Sequence, residues 1–159
     1  MKKKASILII VLSGILMATA YGNDADNPGD IESVKKVVIA EGEARQNNDF
    51  DLFSACWAHE PYILHFWAIN WGCGIIKGWE DMSENFKKSI QSAPDPTDKI
   101  RRENISVHVN GNTALAYFDL YIDKPDGNLE ARANMTLEKI NDSWKVVYLN
   151  VIFDKSFDK

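Results

Sequence analysis

Between residues 104 and 153 apolar and polar positions alternate with period two, and three clusters of turn-forming residues interrupt the alternation. The pattern predicts an antiparallel meander of four strands. The interruptions are Asn110-Gly111, Asp126-Gly127 and Asn141-Asp142-Ser143. Asn-Gly and Asp-Gly readily adopt the positive φ angles that tight hairpins require. Across the first hairpin, Ile105, Val107 and Val109 share a face with Ala114, Ala116 and Phe118. Carrying the alternation through the second adds Leu120, Ile122, Ala131, Ala133, Met135 and Leu137 to that wholly apolar face. Tyr117, Asp119, Tyr121, Arg132, Asn134 and Thr136 fall on the other, mixed face. A three-residue turn at Asn141 sets Tyr148 opposite Thr136 and Asn150 opposite Asn134.

Upstream the period lengthens to that of a helix. Ile31, Val34, Val37, Val38 and Ala44 form one stripe behind a capping Asp30. Glu41 and Arg45, four apart at the edge of this stripe, read as a surface ion pair. Asp49 caps a short second helix holding Leu52, Phe53 and Cys56, and Trp79, Met82, Phe86 and Ile90 stripe a third. Between these helices, residues 62–67 and 73–76 read as strands joined by an aromatic loop over residues 68–72. Residues 92–98, with two prolines, lead into the meander. There are no internal repeats, so this is one domain.

The amino terminus has a different character. Lys2, Lys3 and Lys4 precede an apolar run over residues 7–17 and an Ala18-Thr19-Ala20 cleavage pattern, which reads as a secretory signal peptide over residues 1–20. The run is shorter than the roughly 20 apolar residues a spanning helix needs, so no membrane association is expected after cleavage. Residues 21–30 form a polar spacer and residues 31–155 the domain. Export places the protein in a periplasmic or extracellular setting. Loss of the three lysines takes the formal charge from −5 to −8, which disfavours nucleic acid as a partner. In an oxidising compartment the two cysteines, Cys56 and Cys73, are expected to pair.

The mixed sheet face has two readings. It is either a solvated surface or the lining of a pocket, since its middle offers aromatics, amides and one opposite-charge pair in place of lysines and glutamates. As a pocket, it places Asp119 beside Tyr117 and Tyr148 as a carboxylate with raised proton affinity, a general base for a carbon acid. The competing reading holds Asp119 ionised against Arg132 on the neighbouring strand. Arg132, Asn134 and Asn150 are then ligand contacts, and Trp67 and Trp71 stack on a ring or cover an apolar ligand. His59, His65 and His108 match no metal motif, with His108 on a strand surface. No glycine-rich phosphate loop or nucleophile elbow occurs, so no metal or other cofactor is expected.

Four segments resemble the nuclear transport factor two-like superfamily, particularly its SnoaL-like, polyketide cyclase-like branch and the calmodulin-dependent kinase association domains. They are Ala44 with Asn48-Asp49-Phe50-Asp51-Leu52, Gly78-Trp79-Glu80-Asp81, Asn110-Gly111-Asn112-Thr113-Ala114-Leu115-Ala116, and Leu137-Glu138-Lys139 leading to Trp144-Lys145-Val146-Val147. Their order and spacing span nearly all of the mature chain. The resemblance implies an α+β fold: a cone-shaped, curved antiparallel sheet wrapped around the N-terminal helices, with a cavity on its concave side. It also implies a homodimer. A cavity arginine of the kinase association domains corresponds in position to Asp119, a reversal of charge. The function expected is an exported, pocketed domain that binds a small apolar or amphiphilic ligand. The alternatives are an isomerase, dehydratase or cyclase using Asp119 with a tyrosine, or a non-catalytic dimerisation module.

Overall fold

The computed structural model describes residues 27–69, 72–93, 97–125 and 127–153. The expected signal peptide, most of the spacer and Trp71 lie outside the described residues. Nine elements follow one another: α1 (Pro28–Gln46), α2 (Phe50–Cys56), β1 (Leu64–Ile69), β2 (Gly72–Lys77), α3 (Trp79–Ser92), β3 (Lys99–Asn110), β4 (Thr113–Asp123), β5 (Leu129–Ile140) and β6 (Ser143–Phe153). The strands form one curved, unclosed sheet in the order β2-β1-β6-β5-β4-β3. All neighbours are antiparallel except β1 and β6.

The meander is the predicted one, and its register has a physical explanation at each irregularity. Val109 pairs with Ala114 and Val107 with Ala116, so the apolar positions of β3 and β4 share the concave face. The last turn is shorter than expected. Ile140 pairs with Ser143, leaving Asn141 and Asp142 as a two-residue loop with φ of 49° and 60°. The extra residue is Val147, inserted as a bulge inside β6 opposite Thr136 and Leu137. Thr136 still meets Tyr148 and Asn134 still meets Asn150, because one surplus residue has the same effect on register in a strand as in a turn.

Helix α1 begins earlier than Asp30. Asn27 is the N-cap, its side chain accepting from the Gly29 amide at 3.0 Å, and Pro28 occupies the first turn. Asp30 instead ties the helix to the sheet, accepting from Lys139 Nζ at 2.7 Å and Trp144 Nε1 at 3.0 Å. Asp49 caps α2 through the Leu52 amide at 2.9 Å. Val34, Val38 and Ala44 of α1, with Phe53 and Trp57, pack against Ala116, Met135, Leu137 and Val146 to form the core.

The expected disulfide is not formed; both cysteines are free thiols. Trp57, next to Cys56, bridges to Val146 in β6, whereas Cys73 stands level with Ala68 and, across β1, with Ile152. Six residues along β6 span about 20 Å. A bridge needs the two Cα atoms within roughly 7 Å. Sequence spacing gave a short loop, but the β1–β2 hairpin carries Cys73 to the far end of the sheet. Burial pushes the Cys56 thiol up to about 11, so it is protected as well as enclosed. In the folded, non-reduced protein one thiol per chain, that of Cys73, should react promptly with a disulfide reagent, and a second only after unfolding. A titration that finds no free thiol in the unfolded, non-reduced chain would contradict this placement.

Candidate functional site

The face of α1 that meets the sheet carries Val34, Val38, Glu41 and Ala44 at spacings of four, three and three. A carboxylate therefore sits in an otherwise apolar stripe, and Glu41 is completely buried. Burying an unpaired carboxylate is prohibitive, so the fold must bring donors to it. Trp57 Nε1 donates to Glu41 Oε1 at 3.1 Å, and Arg45 Nε, one helical turn on, donates to the same oxygen at 2.6 Å. Arg102 donates through Nη2 to Glu41 Oε2 and through Nη1 to the Val38 carbonyl. Its stem crosses α1 at Gly42, where a Cβ would come within 3.1 Å of Arg102 Nε. A side chain at this position would make the Arg102 stem give by a few tenths of an ångström. Burial alone would raise the Glu41 proton affinity, but the Arg45 and then the Arg102 charge outweigh it and hold the carboxyl at about 2.

Arg102 reaches the concave face because β3 is bulged. Glu103 pairs with Asp119 and Ser106 with Tyr117, so β3 carries one residue too many, and Asn104 takes φ of 53° there. The surplus residue reverses the alternation. Ile100 and Arg102 then face the same way as Val107 and Val109.

Beside this ion cluster, between α1 and the open end of the cone, lies a cavity of about 180 Å³. Its walls are Trp67, Ile100, Leu120, Ile122, Leu149, Val151 and Phe153, with Arg45, Arg102 and His65 as the polar members. Trp67 lies flat against β2: a Cβ on Gly74 would stand 2.1 Å from its ring, so only glycine admits the indole there. His65 is half-buried. Desolvation lowers its pKa to about 3, with Arg45 adding more than Glu41 subtracts, so the imidazole is neutral at ordinary pH. Two donors in the cluster have no protein acceptor, Arg45 Nη2 and Arg102 Nε.

The sequence-predicted site residues mostly lie elsewhere. Tyr117, Asp119, Arg132, Asn134, Tyr148 and Asn150 share the opposite, convex face of the sheet. Tyr117 is 54% exposed there. The cavity opens on the apolar face, because the helices must cover that face and their curvature leaves the gap. Asp119 is ion-paired with Arg132 and accepts from Asn104 Nδ2 at 2.7 Å, so it is the paired carboxylate of the competing reading. Asn134 and Asn150 are cross-strand neighbours, and Asn150 Oδ1 is buried without a donor. Trp67 is the one described member of the predicted set that lines the cavity. Trp71 lies outside the described residues, and no cluster of potential metal ligands occurs among the described residues.

Sequence reasoning missed Arg102 and His65 and took Glu41 with Arg45 for a surface pair. Glu41 was findable: its seven-residue spacing from Val34 puts it on the buried stripe. Arg102 was hidden by the bulge, since unbroken alternation backward from Val107 turns it outward.

A helix-filled cone of antiparallel sheet with a lined cavity on its concave side defines a pocketed α+β domain of known type. The chain belongs to the SnoaL-like domain family, whose model matches residues 34–151. Solved structures of the nuclear transport factor 2-like (NTF2-like) superfamily share its fold. A protein of unknown function from Pseudomonas putida superposes with a TM-score of 0.68 at 18% identity, covering 84% of this chain and 94% of its own. A candidate dehydratase from Streptomyces avermitilis gives 0.64 at 18% identity, covering 79% and 96%. A candidate ketosteroid isomerase from Parabacteroides distasonis gives 0.59 at 19% identity, covering 77% and 88%. No curated protein matches the chain in sequence.

The buried cluster makes stability depend on pH in a calculable direction. The folded pKa of His65 lies at about 3 against 6.5 in the free side chain, so the unfolded chain takes up that proton first and stability falls as pH drops below 6.5. Glu41, at about 2 against 4.5, adds a second loss as pH drops below 4.5. Melting temperatures measured from pH 8 to 4 should decline below pH 6.5, and His65→Gln should remove the part between 6.5 and 4.5. An unchanged profile in that variant would overturn the assignment. Arg102→Met, which leaves Glu41 one cation short, should cost about 3 kcal/mol in denaturant unfolding.

Proposed function

We propose that the protein binds one small, largely apolar molecule in the cavity between α1 and the concave sheet. The observation that carries this reading is the cavity itself: about 180 Å³ of space walled by seven apolar side chains, with Arg45, His65 and Arg102 as its polar members. An apolar cavity of roughly 150 Å³ accommodates benzene, so the enclosed part of the ligand has the bulk of one ring or a short branched chain. Trp67 forms the wall nearest the β1–β2 edge and is the side chain placed to stack on a ring.

The family also favours a second reading, an isomerase- or dehydratase-type enzyme, supported by the two candidate enzymes that share the fold. Geometry and proton affinity weigh for binding. Asp119 with Tyr117 or Tyr148 stands across the sheet from the cavity, and Asp119 is engaged by Arg132. Glu41 and His65, the proton acceptors of the cavity side, are held at about 2 and about 3. A general base works best with a pKa near the operating pH.

Two further elements belong to the proposal. The mature protein begins after Ala20 and acts outside the cytoplasm, on the strength of its amino-terminal pattern. It is a homodimer through the convex face, where Tyr117, Ile75 and Ile152 are each about half exposed.

Toluene, added in a thermal-shift or fluorescence titration, should raise the melting temperature and change tryptophan emission. Leu120→Trp, which fills the cavity, should abolish both responses. Equal responses in the variant would end the cavity reading. Light scattering at micromolar concentration should give the mass of two chains, and Tyr117→Lys should give one; a monomeric wild type would refute the dimer.

A further inference from the structure

We propose that the ligand of this cavity is a small carboxylic acid, its apolar body enclosed by the cavity walls and its carboxylate held by the guanidinium of Arg45. This deepens the proposed function and rests on the cavity being a ligand site.

The charge balance of the cluster is uneven. Glu41 supplies one negative charge, and Arg45 and Arg102 supply two positive ones. Arg102 is the more enclosed cation: its two terminal nitrogens hold Glu41 and the Val38 carbonyl, its Nε lies against Gly42 without an acceptor, and its side chain is only 5% exposed. Arg45 is different. It spends Nε on Glu41, lines the cavity, and has a side chain that is 23% exposed. Phe53 and Phe86, with centroids 5.1 and 5.9 Å from its Cζ, fix the guanidinium. Ring faces offer charge stabilisation but do not take in-plane N–H bonds, so they leave the hydrogen-bonding capacity of the guanidinium unspent.

The field in the cavity has the same sign. At His65 the Arg45 charge outweighs that of Glu41, and Arg102 adds to it, so the imidazole stands in a net positive potential. A neutral His65 adds no competing charge and offers a hydrogen-bond partner to the ligand. Apolar walls with a surplus guanidinium on one side match a molecule with an apolar body and one anionic end. A carboxylate suits the space better than a phosphate, because a cavity about the size of a ring leaves room only for a small head group.

The test compares phenylacetate with its neutral isostere phenylacetamide, by calorimetry on the wild-type protein at constant ionic strength and pH 7.5, with acetate and toluene as part-ligands. Phenylacetate should bind about tenfold to a hundredfold more tightly than the amide, the range of a charge-assisted bond in a dry site. Arg45→Gln should erase the difference and Arg45→Lys should retain part of it. Should Arg45→Gln fail to fold, the wild-type acid-to-amide ratio decides alone. Equal binding of acid and amide, or binding of toluene without phenylacetate, would overturn the carboxylic-acid assignment and leave the cavity reading standing. Failure of all three aromatic probes would remove the cavity reading itself.

Discussion

A carboxylate with no solvent exposure governs this structure. Glu41 sits where the helical stripe of α1 requires an apolar residue, and its charge is tolerable only because donors arrive from three directions. Each donor imposes a requirement on a different segment. Trp57 must follow directly on α2, so the chain must turn at Asn48 and restart at Asp49. Arg102 must face inward, so β3 must bulge at Asn104, and Gly42 must leave room for its stem. Helix α1, helix α2 and β3 are thereby locked to one another through a single side chain. Replacing such an ion cluster with apolar residues often leaves stability unchanged or improved, so the cluster is assigned a role beyond stability only as part of the proposed function.

That role follows from what the cluster does to the cavity next to it. An apolar cavity binds by area and discriminates poorly among molecules of one size. A guanidinium already desolvated and oriented by Glu41, Phe53 and Phe86 adds direction at little cost in ordering. On the proposed reading, Glu41 would serve binding without touching a ligand, by fixing the Nε edge of Arg45.

Much of the fold was readable from periodicity. The meander, the pairing of Val109 with Ala114, the cap at Asp49 and the stripe of α3 all follow from patterns of two and 3.6 together with turn residues. The site was far less legible, for two reasons. Alternation assigns faces reliably only while the strand is unbroken, and one bulged residue at Asn104 moved Arg102 from the outside to the inside. Composition also misled. The polar face with Asp119, Tyr117 and the two asparagines looked like a site because sites contain polar groups, whereas the polar groups that line the cavity, Arg45, His65 and Arg102, are placed singly among apolar neighbours. Glu41 shows the better signal: a charged residue at an apolar position of a stripe is informative in proportion to how costly its burial is.

The contrast between surface and cavity bears on how a ligand is selected. The chain is acidic overall, with a formal charge of −5, so its long-range field does not draw anions toward the protein. Screening confines that repulsion to about 8–10 Å in physiological salt, while the Arg45 charge acts within the low-dielectric cavity where it is strongest. Selection therefore falls on the residence of the bound molecule and not on its arrival. On the proposal of an acidic ligand, a neutral molecule of the right size would enter and leave, and an anion paired with Arg45 would stay. The same asymmetry disfavours acid–base chemistry on the bound molecule. Burial, and then the Arg45 charge, holds His65 unprotonated, while Arg45 and Arg102 hold Glu41 ionised, so neither group has the proton affinity of a general base at neutral pH.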